Sequence, residues 1–140
     1  MNRLTLLAVV LTVFGVGCDE SSTGLKGVQG NVTVDGKPAP EGTRISFEIE
    51  GGTYSFSTST DSDGKYAYLP PPEAPLMQGT YGVSVVPLST TSVMDASGLP
   101  QEVKIKGAPT TYGKFSNPET SGIRTILGGE LITLDIKVET

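Results

Sequence analysis

Ile132-Thr133-Leu134-Asp135-Ile136-Lys137-Val138 alternates apolar and polar side chains without a break. Successive side chains of an extended chain point to opposite faces. This stretch therefore puts Ile132, Leu134, Ile136 and Val138 against a core and Thr133, Asp135 and Lys137 in water. The same period of two recurs upstream. Val28, Val32 and Val34 alternate with Gln29, Asn31 and Thr33, and Ile45, Phe47 and Ile49 alternate with Arg44, Ser46, Glu48 and Glu50. Tyr81, Val83 and Val85 alternate with Gly82 and Ser84, and Tyr54-Ser55-Phe56-Ser57 repeats the pattern more weakly. Beyond the N-terminal segment no stretch carries apolar residues at the spacing of three and four that a helix face needs. Eighteen glycines and ten prolines agree with a chain of strands and turns.

Turn chemistry punctuates these strands. Asp35-Gly36 follows the first, Asp63-Gly64 precedes a short strand from Lys65 to Leu69, and Gly128-Gly129 links Gly122–Leu127 to the final strand. Asp-Gly supplies the positive φ angles of tight hairpins. The expectation is an all-β fold: a single antiparallel β-sandwich of seven strands with both inner faces supplying the core. Two stretches resist that scheme. Pro70-Pro71-Pro72-Glu73-Ala74-Pro75 is stiff and extended. The connection from Leu88 to Thr120 is long for a compact domain. Within it Glu102 to Lys106 alternates Val103 and Ile105 with charges, which suits an edge strand whose lysines blunt pairing.

The other end of the chain is built differently. Arg3 precedes an apolar run from Leu4 to Val16, then Gly17-Cys18 and the polar Asp19-Glu20-Ser21-Ser22-Thr23-Gly24. A basic tip, a short apolar region and small residues at the cut form a secretory signal. The apolar run falls short of the roughly 20 residues that span a bilayer. The window resembles the lipobox of bacterial lipoproteins, in which the cysteine is acylated and becomes the new N-terminus; Gly15 stands where that family most often has Leu. The expected organisation is a signal peptide over 1–17, a lipidated Cys18 with a polar tether over 18–26, and a domain over 27–140.

Composition removes several chemistries. Cys18 is the only cysteine, so no intramolecular disulfide and no thiolate metal cluster can form, and there is no histidine. Ten Lys and Arg face 15 Asp and Glu, a formal net charge of −5, and loss of Arg3 with a signal peptide makes the remainder more acidic. An acidic domain without a basic cluster lacks the footprint of a nucleic-acid binder, and anionic headgroups repel it. The expected membrane attachment is therefore the lipid.

The run from Val28 to Gly42 contains Asp35-Gly36-Lys37-Pro38 and is followed by Ile45-Ser46-Phe47. It resembles the opening of carboxypeptidase-regulatory-like domains, which are transthyretin-like (prealbumin-like) sandwiches. Asp61-Ser62-Asp63-Gly64-Lys65-Tyr66 and Gly79-Thr80-Tyr81-Gly82-Val83-Ser84-Val85 match later elements of that family. The segment from Tyr112 to Ile123 is similar to one in small bacterial lipoproteins made of this domain alone. The resemblance covers Gly27 to the C-terminus and implies a transthyretin-like fold. It does not imply the zinc peptidase that lends the family its name, because the histidine ligands of that separate domain are absent. The related purine-pathway hydrolase depends on histidines and a C-terminal Tyr-Arg-Gly-Ser, whereas this chain ends Lys137-Val138-Glu139-Thr140.

Candidate sites are few. Asp61 and Asp63 suit a turn whose carboxylates accept backbone N–H bonds; the alternative is a weak calcium site. Calcium takes about six to eight oxygens and an EF-hand places a bidentate Glu about six positions after its glycine, where this chain has Pro70. No spacing marks an acid–base pair, so no enzyme, cofactor or resident metal is expected. Tyr112 and Phe115, in the long connection, are the pair that could be exposed as ligand contacts; the preferred reading is that they anchor the loop, with ligand contact the alternative. The expected function is a non-catalytic cell-envelope lipoprotein. It is lipid-anchored to the outer leaflet of the inner membrane or to the outer membrane, with its sandwich acting as a structural or protein-interaction module. An envelope polysaccharide-binding module is the alternative. An exposed aromatic platform would favour polysaccharide; an apolar loop patch or a free sheet edge would favour protein.

Overall fold

A computed structural model of the protein describes residues 26–140. The signal-peptide segment 1–17, Cys18 and nearly all of the tether lie outside the described residues. Eleven strand segments follow in order: β1 Gly27–Val34, β2 Lys37–Pro38, β3 Arg44–Ile49, β4 Ser55–Ser59, β5 Lys65–Tyr68, β6 Gly79–Val86, β7 Thr90–Met94, β8 Pro100–Lys104, β9 Arg124–Leu127, β10 Leu131–Thr133 and β11 Ile136–Val138. A single 3-10 turn, Gly113–Ser116, is the one helical element among the described residues. No helix there is long and apolar enough to cross a membrane.

The strands form two larger sheets and a ribbon. In the first, β1 is central, with β5 and β2 antiparallel along one side and β10 and β11 parallel along the other. The second is wholly antiparallel in the order β4-β3-β6-β9. The third is the two-stranded ribbon β7-β8. The all-β expectation holds, with several antiparallel sheets. Seven antiparallel strands do not describe it: there are eleven segments, and the first strand meets the last two in parallel.

The physical reason lies in the corners. Asp35 and Gly36, at φ 50° and 80°, reverse the chain tightly, but only into the two-residue β2. The chain then crosses to the other sheet through a buried threonine knot. There the Thr43 and Thr60 hydroxyls both donate to Pro40 O at 2.7 Å, and Thr43 N–H donates to Thr60 Oγ1 at 3.1 Å. Asp63-Gly64 is likewise not a hairpin between sheet neighbours, because β4 lies in the second sheet and β5 pairs with β1. After β9 the chain crosses back through residues 128–130 and enters beside Gly27, so β10 runs in the direction of β1. Alternation reports faces, not directions, and cannot distinguish these partners.

The alternation itself is correct. Val28, Val32, Ile45, Phe47, Tyr81, Val83, Val85, Ile136 and Val138 are buried, while Val34, Ile49, Ile132 and Leu134 are half-buried against them. Burying each such side chain contributes roughly 1.5–3 kcal/mol. Between the sheets Phe56 stacks on Phe47 at 4.7 Å and on Tyr68 at 4.4 Å, and Tyr81 meets it edge-on at 5.7 Å. Tyr66 and Tyr68 thus share the core-facing side of β5. The final strand is divided where Asn31 N–H donates to the Asp135 carboxylate and Tyr66 OH donates to Leu134 O at 2.6 Å, side-chain bonds in place of ladder bonds. Burial, then the nearby Asp135 charge, pushes the Tyr66 phenol well above its ordinary range. At the C-terminal end, the N–H and hydroxyl of Thr140 donate to the Asp35 carboxylate and tie the last strand to the first turn.

Candidate interaction surface

The connection from Leu88 to Thr120 is not structureless. Pro87 ends β6, since it has no N–H for a ladder, and the chain rises into β7-β8. Five residue pairs from Thr90↔Lys104 to Met94↔Pro100 set the register. The expected edge strand from Glu102 to Lys106 overlaps β8, which begins earlier at Pro100 and ends at Lys104; it pairs only with β7 and joins neither larger sheet. An isolated two-stranded hairpin is marginal in water, and a side-chain clamp closes this one. Asp95 Oδ1 accepts N–H bonds from Ser97 at 2.8 Å and Leu99 at 3.0 Å, and Oδ2 accepts one from the Gln101 amide at 3.0 Å. The Leu99 N–H is the largest of the influences holding the Asp95 carboxyl below the ordinary carboxylate range.

The ribbon carries Val93, Met94, Leu99 and Val103, half of the large apolar side chains that the described residues leave in water; Leu69, Met77, Leu88 and Ile126 are the others. Met94 is 73% exposed and Leu99 62%, and Leu88, Val93 and Val103 are exposed around them. Its place in the fold follows from register. β6 ends at Val86 opposite Arg44, and Leu88 packs against Gly42 at the threonine knot. Gly27 lies at the other end of the sandwich-like body, opposite Leu131 and beside Tyr68 and Leu69. Gly27 and the ribbon therefore lie at opposite poles.

The other candidates end up elsewhere. Tyr112 and Phe115 are 4% and 8% exposed, so neither ring is presented to a ligand. Their segment covers the half of β6 that β9 does not reach. Ser116 Oγ accepts the Tyr112 N–H at 2.8 Å and donates to Val85 O at 3.2 Å, and Val83 N–H donates to Ile123 O at 3.1 Å. They are anchors because a long connection must bury apolar groups to stay on the sheet. No aromatic ring among the described residues is exposed. Asp61 Oδ1 accepts the N–H groups of Asp63 and Lys65, each at 2.9 Å, as a turn former does. Among the described residues no three His, Cys, Asp or Glu side chains gather as a metal site. A shallow open groove of about 530 Å³ lies over β1 and β5, with Gln29, Asn31, Asp61 and Lys65 lining it beside Tyr66 and Ala67.

One signal in the sequence marks the ribbon. Asp95-Ala96-Ser97-Gly98-Leu99 repeats the spacing of Asp61-Ser62-Asp63-Gly64-Lys65, and the main-chain bonds within the two turns are the same. Alternation overlooks it because β7, Thr90-Thr91-Ser92-Val93-Met94, has almost no apolar period.

No protein-family model matches the chain, and no curated protein matches it. Solved structures with a partial likeness include the Bacillus anthracis TIE protein, at 14% identity and a TM-score of 0.41 over 84% of this chain. The major pilin subunit BcpA of Bacillus cereus gives 19% and 0.41 over 81%. A 9R-lipoxygenase from Cyanothece PCC8801 gives 14% and 0.40 over 99%. The chain spans 17%, 28% and 18% of those proteins respectively.

Proposed function

We propose that this chain is a non-catalytic lipoprotein of the bacterial cell envelope. In this reading Cys18 carries the lipid, and a transthyretin-like sandwich displays the β7-β8 ribbon as a protein-interaction module. The observation that carries the reading is the placement of an exposed apolar ribbon at the pole opposite Gly27. A tether entering at one pole leaves the other facing away from the bilayer, and apolar side chains clustered there suit a protein partner. The order of the Asp-Gly motifs and the two facing sheets support the transthyretin-like assignment. The polysaccharide reading loses its aromatic platform, since Tyr112 and Phe115 are buried.

A photo-crosslinking residue in place of Met94, in the full-length chain in intact cells, tests the reading. A discrete protein adduct, lost when the crosslinker is moved to Ser55, is the expected result. Glycan adducts without protein would transfer the proposal to the polysaccharide module. Cys18→Ser is expected to abolish fatty-acid labelling, and persistent labelling would remove the anchor.

A further inference from the structure

The interaction proposed for the ribbon has a geometry specific enough to name a partner. We infer that the outer edge of β8 pairs with the same edge of a second copy of this chain. The two strands run antiparallel about a two-fold axis through Val103. This rests on the ribbon being the interaction surface and goes further by stating what it binds.

The phase of the ladder comes first. Asp95 N–H donates to Leu99 O and Ile105 N–H donates to Ser89 O, both at 2.9 Å, and these bonds bracket the β7-β8 register. Antiparallel ladders alternate hydrogen-bonded and non-hydrogen-bonded pairs. Gln101 and Val103 therefore turn their main-chain groups toward β7, and Glu102 and Lys104 turn theirs outward. That outer edge is open: all five residues of β8 are exposed, and β8 pairs with nothing but β7.

The charges then select the occupant. A two-fold axis at Val103 places Glu102 opposite Lys104 of the second copy and Lys104 opposite its Glu102. Both are outward-facing residues, as a hydrogen-bonded pair requires. Val103 faces Val103 of the second copy in the closer, non-hydrogen-bonded spacing, which brings two half-exposed valines together. Sliding the pairing by two residues sets Glu102 against Glu102, or Lys104 against Lys104, and like charges directly opposite are destabilising. A slip by one sets outward groups against inward ones. Among the residues of β8, only this register sets opposite charges against each other in hydrogen-bonded pairs. Neither residue has a competing partner at home, because the one ion pair among the described residues joins Arg124 and Glu50. Lys104 thus blunts the edge toward foreign strands while its counter-charge, two residues away, admits a second copy. The edge of β7 carries no charge and specifies no register. An isologous contact of this kind closes at two copies, and lipid anchoring in one membrane raises the effective concentration of a short interface.

The test is Val103→Cys in the full-length chain, expressed and mildly oxidised in intact cells, with Ser55→Cys as the exposed control. Any dimer arising through Cys18 appears equally in both. A disulfide-linked dimer well above the control is expected. Adding Glu102→Lys turns two opposite-charge contacts into two like-charge ones and lowers the dimer yield about tenfold. Adding Lys104→Glu to that variant restores it. A Val103→Cys yield at the control level, or failure of the double charge swap to recover, overturns self-pairing. If that occurs while Met94 still captures a different protein, the interaction-module reading stands without a second copy. Capture of nothing from either position removes both.

Discussion

Two five-residue corners of this protein are built alike and end in different places. In each, an aspartate carboxylate accepts the N–H groups two and four residues on, and a glycine in the fourth position takes a positive φ, 74° at Gly64 and 78° at Gly98. The first corner carries the chain from one sheet to the other, while the second closes a ribbon that pairs with neither. What differs is the flanking sequence. The strands beside Asp61–Lys65 hold Phe56, Tyr66 and Tyr68, which bury between the sheets and pull β4 and β5 onto different partners. The strands beside Asp95–Leu99 set Val93, Met94 and Val103 among threonine, serine and charged side chains and carry no aromatic ring to be drawn between the sheets. A turn dictates reversal; the apolar content of its arms dictates where the arms go.

Cutting into the core beside the first corner gives the largest expected effect. Phe47→Ala removes the fully buried ring that Phe56 stacks on and is expected to cost about 3–5 kcal/mol in urea unfolding. The ribbon counterpart, Val103→Ala, is expected to fall within about 0.5 kcal/mol of the parent. Comparable losses would mean that the ribbon shares the core.

The glycines sharpen the contrast further. An added Cβ at Gly64 would stand 2.8 Å from Val32 O and 2.9 Å from Ala39 N, both main-chain atoms, whereas at Gly98 it would meet nothing within 4 Å. Left-handed backbone alone costs a non-glycine residue about 1–2 kcal/mol. Gly64→Ala should therefore exceed that figure in global stability, while Gly98→Ala should loosen the ribbon and leave the global midpoint in place. Equal midpoint shifts would contradict the placement of the two corners.

A smaller effect is expected at the divided final strand. Tyr66→Phe deletes the hydroxyl that donates to Leu134 O and should cost about 1 kcal/mol, the net worth of a typical hydrogen bond. Faster exchange of the Leu134 amide is the accompanying sign, and unchanged exchange would detach this bond from the strand break.

The smallest effect is confined to the ribbon and depends on pH. Because Leu99, Ser97 and Gln101 donate to Asp95, its folded carboxyl titrates below the ordinary aspartate value of about 3.9. The clamp therefore contributes fully above that value and is lost as pH falls through the lower, folded one. The Ser97 and Leu99 amide signals in an NMR titration should move together below pH 4 or so. A midpoint at the ordinary value would mean that the ribbon turn is open in solution.

Much of this protein can be read along the chain. The inward valines of β1, the Ile45–Phe47–Ile49 face and Ile136 and Val138 lie where a period of two places them, and the glycine-aspartate corners interrupt the chain where their chemistry says. Neighbouring residues determine such features, because the pleat sends successive side chains to opposite faces wherever the strand pairs. The tertiary structure alone decided that β1 meets β10 and β11 in parallel, that Asp63-Gly64 turns a corner between sheets, that Tyr112 and Phe115 are interior, and that β7-β8 stands apart. Each of those depends on which main-chain edge meets which. Backbone N–H and C=O groups are the same at every residue, so strand partners are chosen by the summed burial of the whole fold rather than by any local pattern.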